Sequence, residues 1–253
     1  MSVFNDYLIT LDVDWAPDWC INYASKILIE KKIKATWFIT HDSPAIKKLF
    51  KYPDLFELGI HPNFQQSSTQ GKDPNDVMKT LKAIIPAAVS VRTHGLVQST
   101  SILMMMRDNF NLLYDTSLLL YNSKEIEPHV IYTSKTMPLI RIPFFWEDDI
   151  EMYNPNPVFS FDCEKYHVDG LKIFNFHPIH IFLNSENMKN YIQCKKNLIF
   201  QKKKLLPYKN LQNGTGSFFK EIVSFISSDS GNKQHTIAEV GKKWAHDNNL
   251  YIE

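Results

Sequence analysis

The sequence predicts a parallel α/β fold, and three observations carry that reading. Apolar runs of strand length alternate with helical patterns along most of the chain, the signature of strand–helix–strand units. Strand after strand ends in a group able to bind metal or move protons, and parallel α/β folds place their ligand site at the carboxyl ends of the strands. The 253 residues contain no Pro/Gly/Ser-rich linker, so a single domain over residues 1–253 is expected.

Tyr7 to Val13 reads as a buried strand and Ala16 to Lys31 as an amphipathic helix. Ala35 to Ile39 is a second strand, rich in aromatics. Ser43-Pro44 then supplies an N-cap and a proline at the first helical position, and Leu55 to Ile60 is the third strand. Asp73-Pro74-Asn75-Asp76 starts a helix in which Val77, Leu81, Ile84 and Ile85 fall at helical spacing. Ala88 to Val91 is a strand, Ser99 to Asp108 a helix and Leu112 to Tyr114 a short strand. Val130 to Thr133, Leu139 to Ile142 and Leu171 to Phe176 are further strands. Asn184-Ser185 is expected to cap a helix reaching about Phe200. Gln201 to Gly216 is basic and turn-rich and reads as a loop, with Lys202 to Lys204 a solvated face. Phe218 to Ser227 and Ile237 to Asn248 look helical. An open sheet and a barrel both satisfy this alternation.

Composition excludes several classes. Hydrophobic residues make up 44% and charged residues 22%, at a formal net charge of +1. That suits a soluble protein with a sizeable core and lacks the basic excess of a phosphate-binding surface, so no nucleic-acid partner is expected. No apolar stretch approaches the roughly 18 residues that span a bilayer. The N-terminus has no basic region before its apolar run and is not read as a signal peptide. Cys20, Cys163 and Cys194 lack metal-type spacing and suit a reducing, cytoplasmic location. Asn213-Gly214-Thr215 reads as a turn and not as a glycosylated sequon.

The polar strand endings are Asp12-Val13-Asp14, His61, Arg92-Thr93-His94-Gly95, Trp146-Glu147-Asp148-Asp149 and His177-Pro178-Ile179-His180. Strand period puts Thr10, Asp12 and Asp14 on one face, two residues being about 6.6 Å apart along the axis. That separation lets one carboxylate bind a metal while the other handles a proton. Paired carboxylates at the end of an apolar strand are costly to bury without partners. Arg92 is expected beside Asp12. Most of Glu147, Asp148 and Asp149 are expected in solvent, with one oriented toward His177. His41-Asp42, at another strand end, is read as a helix cap.

At these residues the sequence resembles the polysaccharide deacetylase (NodB-homology) superfamily, from about residue 7 to 184, and looks closest to a branch associated with bacterial surface-polysaccharide biosynthesis. Leu8 to Asp14 (LITLDVD) matches the motif that supplies a base aspartate and a metal aspartate. Lys34 to Thr40 (KATWFIT) matches the second strand, and Glu57 to His61 (ELGIH) the motif with a metal-binding histidine. Ser90 to Gly95 (SVRTHG) sits where the family places an arginine that orients the base. Tyr114 to Ser117 (YDTS) matches a common following segment. Ile142 to Trp146 (IPFFW) matches the motif whose aromatic lines the acyl pocket, and Ile173 to His177 (IFNFH) the one with a proton-donor histidine. The order and spacing of these motifs carry the likeness, not any one alone. The resemblance implies a distorted (β/α)7-type barrel, with residues 185–253 as a helical extension.

It also implies hydrolysis of an N-acetyl group on an amino sugar with a divalent metal, zinc by preference. Asp12, Arg92 and His177 would be catalytic, Asp14 and His61 metal ligands, and Trp146, Glu147 and Asp115 substrate contacts. The sequence departs from the family in three places, one being the arginine motif, which usually contains proline and here carries His94. Val13 separates aspartates that are usually adjacent. Gln65 stands where a second histidine is usual, and His94 is expected to replace it as the third ligand, since a metal normally takes at least three from the protein. Two other functions stay open: a deformylase or other linear-amide hydrolase, and a glycan-binding protein that has lost the metal.

Overall fold

The computed structural model describes residues 5–133, 138–195, 202–228 and 234–251. In chain order the strands are β1 (Tyr7–Asp12), β2 (Ala35–Ile39), β3 (Phe56–Ile60), β4 (Ser90–Val91), β5 (Tyr114–Asp115), β6 (His129–Thr133), β7 (Pro138–Arg141), β8 (Trp146–Glu147) and β9 (Lys172–Phe176). The helices are α1 (Asp18–Lys31), α2 (Pro44–Leu49), α3 (Pro74–Ile84), α4 (Thr100–Phe110), α5 (Asp148–Tyr153), α6 (Pro178–Leu183), α7 (Met188–Lys195), α8 (Lys202–Leu205), α9 (Thr215–Ser228) and α10 (Ile237–Asp247).

The strands form one sheet in the order β6-β7-β5-β4-β3-β2-β1-β9-β8. Every pairing is parallel except the β6·β7 hairpin. One stretch of chain serves both ends. Residues 138–141 pair with β5, and residues 146–147 pair with β9. Between them the Phe144 N–H donates to Leu118 and the Phe145 N–H to Ile173, at 2.9 Å each. The sheet therefore curls into the distorted barrel that the motifs imply, with the β6 hairpin outside the ring. Burial follows the apolar pattern: Leu11, Trp37, Phe38, Ile39 and Val91 are fully buried.

Capping chemistry fixes several helix starts. The side chains of Ser43, Asp73 and Ser99 accept from the N–H groups of Ile46, Asp76 and Ile102, satisfying donors that have no partner inside the helix. Ser43 thus caps α2 as its sequence predicts, and the capping expected of His41-Asp42 falls to it alone. Asn184 does the opposite of its expected job. It sits in the left-handed region (φ 52°) and ends α6, a conformation Asn tolerates better than most residues. The next helix, α7, begins at Met188, and residues 196–201 of the expected helix lie outside the described ones. The expected loop after Gln201 contains the short α8, anchored by a buried Leu205.

The last two helices attach at defined places. The apolar face of α9 puts Phe218 4.9 Å from Trp146 and Phe219 5.0 Å from Phe176, between ring centroids. A capping box of Thr236 and Glu239 opens α10. The half-buried Glu57 carboxylate on β3 receives the Ala238 N–H at 2.8 Å, the Thr36 hydroxyl at 2.9 Å and the Ser90 hydroxyl. These residues lie at the amino ends of their strands. The polar groups of the motifs gather at the carboxyl ends.

Candidate active site

β1 ends at Asp12, and Asp14 and Trp15 both take positive φ (45° and 54°). The strand period therefore stops short of Asp14, which a tight turn carries over the end of the barrel. This corrects the expectation that both aspartates project from one strand face. It also separates their partners.

Asp12 is buried and held from two sides. Its Oδ1 receives Arg92 Nη1 at 3.1 Å, and its Oδ2 receives Asn175 Nδ2 at 2.9 Å. Arg92 is fully buried, with its guanidinium between the rings of Phe38 and Phe144 at 4.6 and 4.2 Å. It also donates to the Thr116 carbonyl and hydroxyl at 3.2 and 2.7 Å. A buried cation with a counter-ion and most donors used is a fixed charge, not a mobile one.

Asp14 faces three histidines. Its Oδ1 lies 3.2 Å from His61 Nε2 and 2.9 Å from His94 Nδ1, and its Oδ2 lies 3.6 Å from His177 Nε2. Burial opposes ionisation of Asp14, but the imidazoles of His61, His94 and His177 outweigh it and hold the carboxyl well below the usual carboxylate range. Oδ1 is buried yet aligned for a hydrogen bond with neither neighbour. His61 turns Nε2 toward Asp14 because its Nδ1 donates to the Arg92 carbonyl at 2.7 Å, the arrangement that orients ligating histidines. Two imidazole nitrogens and an unsatisfied carboxylate oxygen on one point fit a divalent metal with a position left open. Two further acid–histidine groups exist among the described residues, Asp149–His177–His180 and Asp12–Glu147–His177. In the second, both carboxylates are engaged, Asp12 by Arg92 and Glu147 by Asn175, and the first contains neither aspartate of the Leu8 to Asp14 motif nor the histidine of the Glu57 to His61 motif. The Asp14 group is thus the best candidate.

His177 follows β9 and is buried. Its Nδ1 meets Asp148 Oδ1 at 2.7 Å, and its backbone N–H donates to Asp148 Oδ2 at 2.8 Å. Burial disfavours the charged ring, but Asp149, Asp148 and Asp14 overcome it and raise the imidazole pKa well above its ordinary value. Asp148 is fully buried and takes the orienting role expected of one residue in this acidic run, while Glu147 and Asp149, expected in solvent, turn inward with it. The sequence reading missed α5, whose first residue is Asp148. Asp149 reaches His180 Nε2 at 3.2 Å, so the acidic run faces inward. Glu147 is also buried, its Oε1 receiving Asn175 Nδ2 at 3.0 Å. Burial pushes its carboxyl up to about 7, with His177 and Arg92 opposing and Asp149 and Asp12 adding to the rise.

Two predicted substrate contacts are not at the site. Trp146 is fully buried among Phe174, Phe176 and Phe218, and its indole N–H donates to Glu151 at 2.8 Å. It turns to the aromatic core because strand alternation aims Glu147, not Trp146, at the cleft. Asp115 is fully buried and paired with Arg141, Nη2 to Oδ2 at 2.6 Å, an ion pair between neighbouring strands. Asp12, Asp14, His61, His94, Glu147 and His177 do share one cleft of about 230 Å³. Gln65, in the place of the usual histidine, lies on an exposed loop beside Gly95. Asn175 was overlooked. It links Asp12, Glu147, Thr10 and Arg92, and a lone amide inside the apolar run of β9 was the available signal.

A buried aspartate locked to an arginine, a histidine locked to a carboxylate and a metal-capable group in the same cleft are the arrangement expected of hydrolases of linear amide C–N bonds. Within that class the chain belongs to the WbmS-like polysaccharide deacetylase family, whose model matches residues 9–195. It is similar in structure to WbmS of Bordetella bronchiseptica, described as a polysaccharide deacetylase involved in O-antigen biosynthesis. The two are 28% identical, with a TM-score of 0.77 over 88% of this chain and 91% of that one. More distant matches are a family 4 acetyl xylan esterase from Clostridium thermocellum (12% identity, 98% and 93% of the two chains, TM-score 0.49) and a family 4 pseudoenzyme from Bacillus anthracis (13%, 94% and 65%, TM-score 0.46). Comparison with curated proteins gave no significant match.

Proposed function

We propose that this protein removes the N-acetyl group from an amino sugar of a surface-polysaccharide precursor, with a divalent metal held by Asp14, His61 and His94. The observation that carries the reading is the placement of Asp12–Arg92 and His177–Asp148 on either side of that cluster in one cleft. The Bordetella relative, described as acting in O-antigen biosynthesis, supports the substrate class. Two imidazoles and one carboxylate suit zinc, which takes three protein ligands at catalytic sites. Bound there, the ion would lower the pKa of a water and polarise the acetamide carbonyl.

The protein groups divide the proton work. Asp12 accepts the proton of the attacking water. Arg92 and Asn175 keep its carboxylate oriented by filling one lone pair on each oxygen. His177, charged and fixed by Asp148 through Nδ1, presents Nε2 to the cleft. It gives its proton to the nitrogen as the C–N bond breaks, so that acetate and a free amine leave. Each such acid or base role is worth roughly 10²–10⁴ in rate. We place the reaction in the cytoplasm, at the precursor stage. Free thiols at Cys20 and Cys163 support that location, and no helix among the described residues is long and apolar enough to cross a membrane.

The test is acetate release from N-acetylated amino sugars and their nucleotide-linked forms, beside N-formyl analogues, with metal content measured on the same sample. Acetate release that tracks bound metal supports the proposal. Formate release without acetate would make the protein a deformylase. A metal-replete protein that binds no ion would leave only glycan binding.

A further inference from the structure

The catalytic cleft, at about 230 Å³, is smaller than the roughly 300–1,000 Å³ of ordinary ligand sites, so it holds little beyond the reacting group. A second cleft of about 570 Å³ adjoins it and shares Asp14 and His94. Its outer wall is formed by Trp15, Tyr191 and Lys195.

Trp15 is held with care at an exposed place. Its backbone sits at φ 54°, a strained choice for a bulky side chain. Its N–H donates to Thr40 Oγ1 at 3.2 Å, and its ring meets His94 edge-on at 5.3 Å. Even so, 36% of its surface is exposed. Tyr191 stands on α7 with its ring 4.4 Å from that of His180. Lys195, one turn later, carries Nζ 5.7 Å from the Tyr191 ring. Asp18 and His41 also line the cleft, and they act on each other. Burial lowers the His41 pKa, and Asp18 and Asp42 oppose that shift. Apart from Asp14 and His94, which the proposed metal would engage, the lining carries one cation, Lys195, and one carboxylate, Asp18. The described stretches on either side of Lys195 in sequence, residues 187–195 and 202–220, contain no Asp or Glu.

We propose that this second cleft binds the unit next to the acetamido sugar, and that this unit carries an anionic group, a phosphate or a carboxylate. Trp15 offers its face to the C–H side of a sugar ring, as exposed aromatics at ligand sites do. Lys195 meets the anion as a point charge. The identity of the reacting unit rests on the deacetylase reading. The charge preference of the neighbouring cleft does not.

The test is calorimetric titration of the full chain with three probes: N-acetylglucosamine, its 1-phosphate, and its disaccharide with glucuronic acid. An anionic probe is expected to bind about tenfold more tightly than the neutral sugar, and the tighter of the two names phosphate or carboxylate as the source. Lys195→Gln should erase the preference, Lys195→Arg should keep it, and Trp15→Leu should weaken every probe. Equal binding of charged and neutral probes, a preference that survives Lys195→Gln, or no binding by any probe overturns the proposal. Acetate release measured alongside keeps the two readings apart. Charge-selective binding without acetate defeats the deacetylase reading and leaves the subsite. Acetate release without charge selectivity defeats the subsite alone.

Discussion

Asp148 decides what His177 can do. The carboxylate holds both the ring and the backbone N–H of His177, and with Asp149 and Asp14 it keeps the imidazole charged against the cost of burial. Asp148→Asn should therefore move the alkaline limb of the kcat/KM profile to lower pH, because the proton donor loses its charge sooner. His177→Ala should slow turnover by roughly 10²–10⁴ with bound metal unchanged, and full activity in that variant would remove the donor role. The raised pKa also bears on stability. Its contribution is complete below the unfolded value near 6.5 and fades as pH rises through the folded one. Glu147 has a raised pKa for the opposite reason, burial of a carboxylate without a cation of its own. Its folded pKa of about 7 lies above the unfolded value of about 4.3. Stability accordingly falls as pH climbs between those values and stays reduced above them. Glu147→Gln should stabilise the protein at pH 8 by on the order of 3 kcal/mol, seen as a higher melting temperature, and leave stability nearly unchanged at pH 4. A thermal melt at the two pH values checks this.

At the scale of elements, helix starts were readable because their signals are local. Ser43, Asp73 and Ser99 each bond an N–H three residues ahead, a pattern that needs no tertiary context. Short elements were readable only in part. β4 and β5, two residues each, fall within or against the predicted strands Ala88 to Val91 and Leu112 to Tyr114, whereas α5 is a single short helix hidden in an acidic run. Asn184 shows the ambiguity of one residue type, since Asn serves as well at a left-handed helix end as at an N-cap. The docking of α10 also lies beyond local pattern. Gly241 packs flat on the Tyr114 ring, where an added Cβ would sit 2.2 Å from Cδ1. Gly241→Ala should destabilise the protein by about 1–3 kcal/mol through overpacking, despite alanine's better helix propensity. Chemical denaturation would show the loss, and an increase in stability would mean that α10 does not rest there.

At the scale of the whole molecule, the barrel closes through one continuous stretch, residues 138–147, which pairs with β5 at one end and β9 at the other. Closure brings Asp14, His61 and His94, from three different strand ends, to a common point. An ion held there ties those ends together and stabilises the fold by mass action, about 2.7 kcal/mol at a metal concentration of 100 Kd. Adding zinc to chelator-treated protein should raise its melting temperature, and His94→Ala should abolish the rise as fully as Asp14→Ala or His61→Ala. A full shift in His94→Ala would return the third ligand to another residue.

The sequence by itself determined the strand–helix alternation, the carboxyl-end position of the polar groups and the pairing of Asp12 with Arg92. Periodicity, capping and the cost of burying charge are properties of neighbouring residues, or of residue types alone. Tertiary structure decided the rest. The left-handed turn at Asp14 and Trp15 moved one aspartate off its strand, and the packing of β8 on β9 and α9 decided which of its two faces, that of Trp146 or that of Glu147, met the aromatic core and which the cleft. Asn175 became the hub of the site only because β9 lies between β1 and β8. Which distant side chains share a hydrogen bond depends on sheet order and closure, and no local window of sequence contains either.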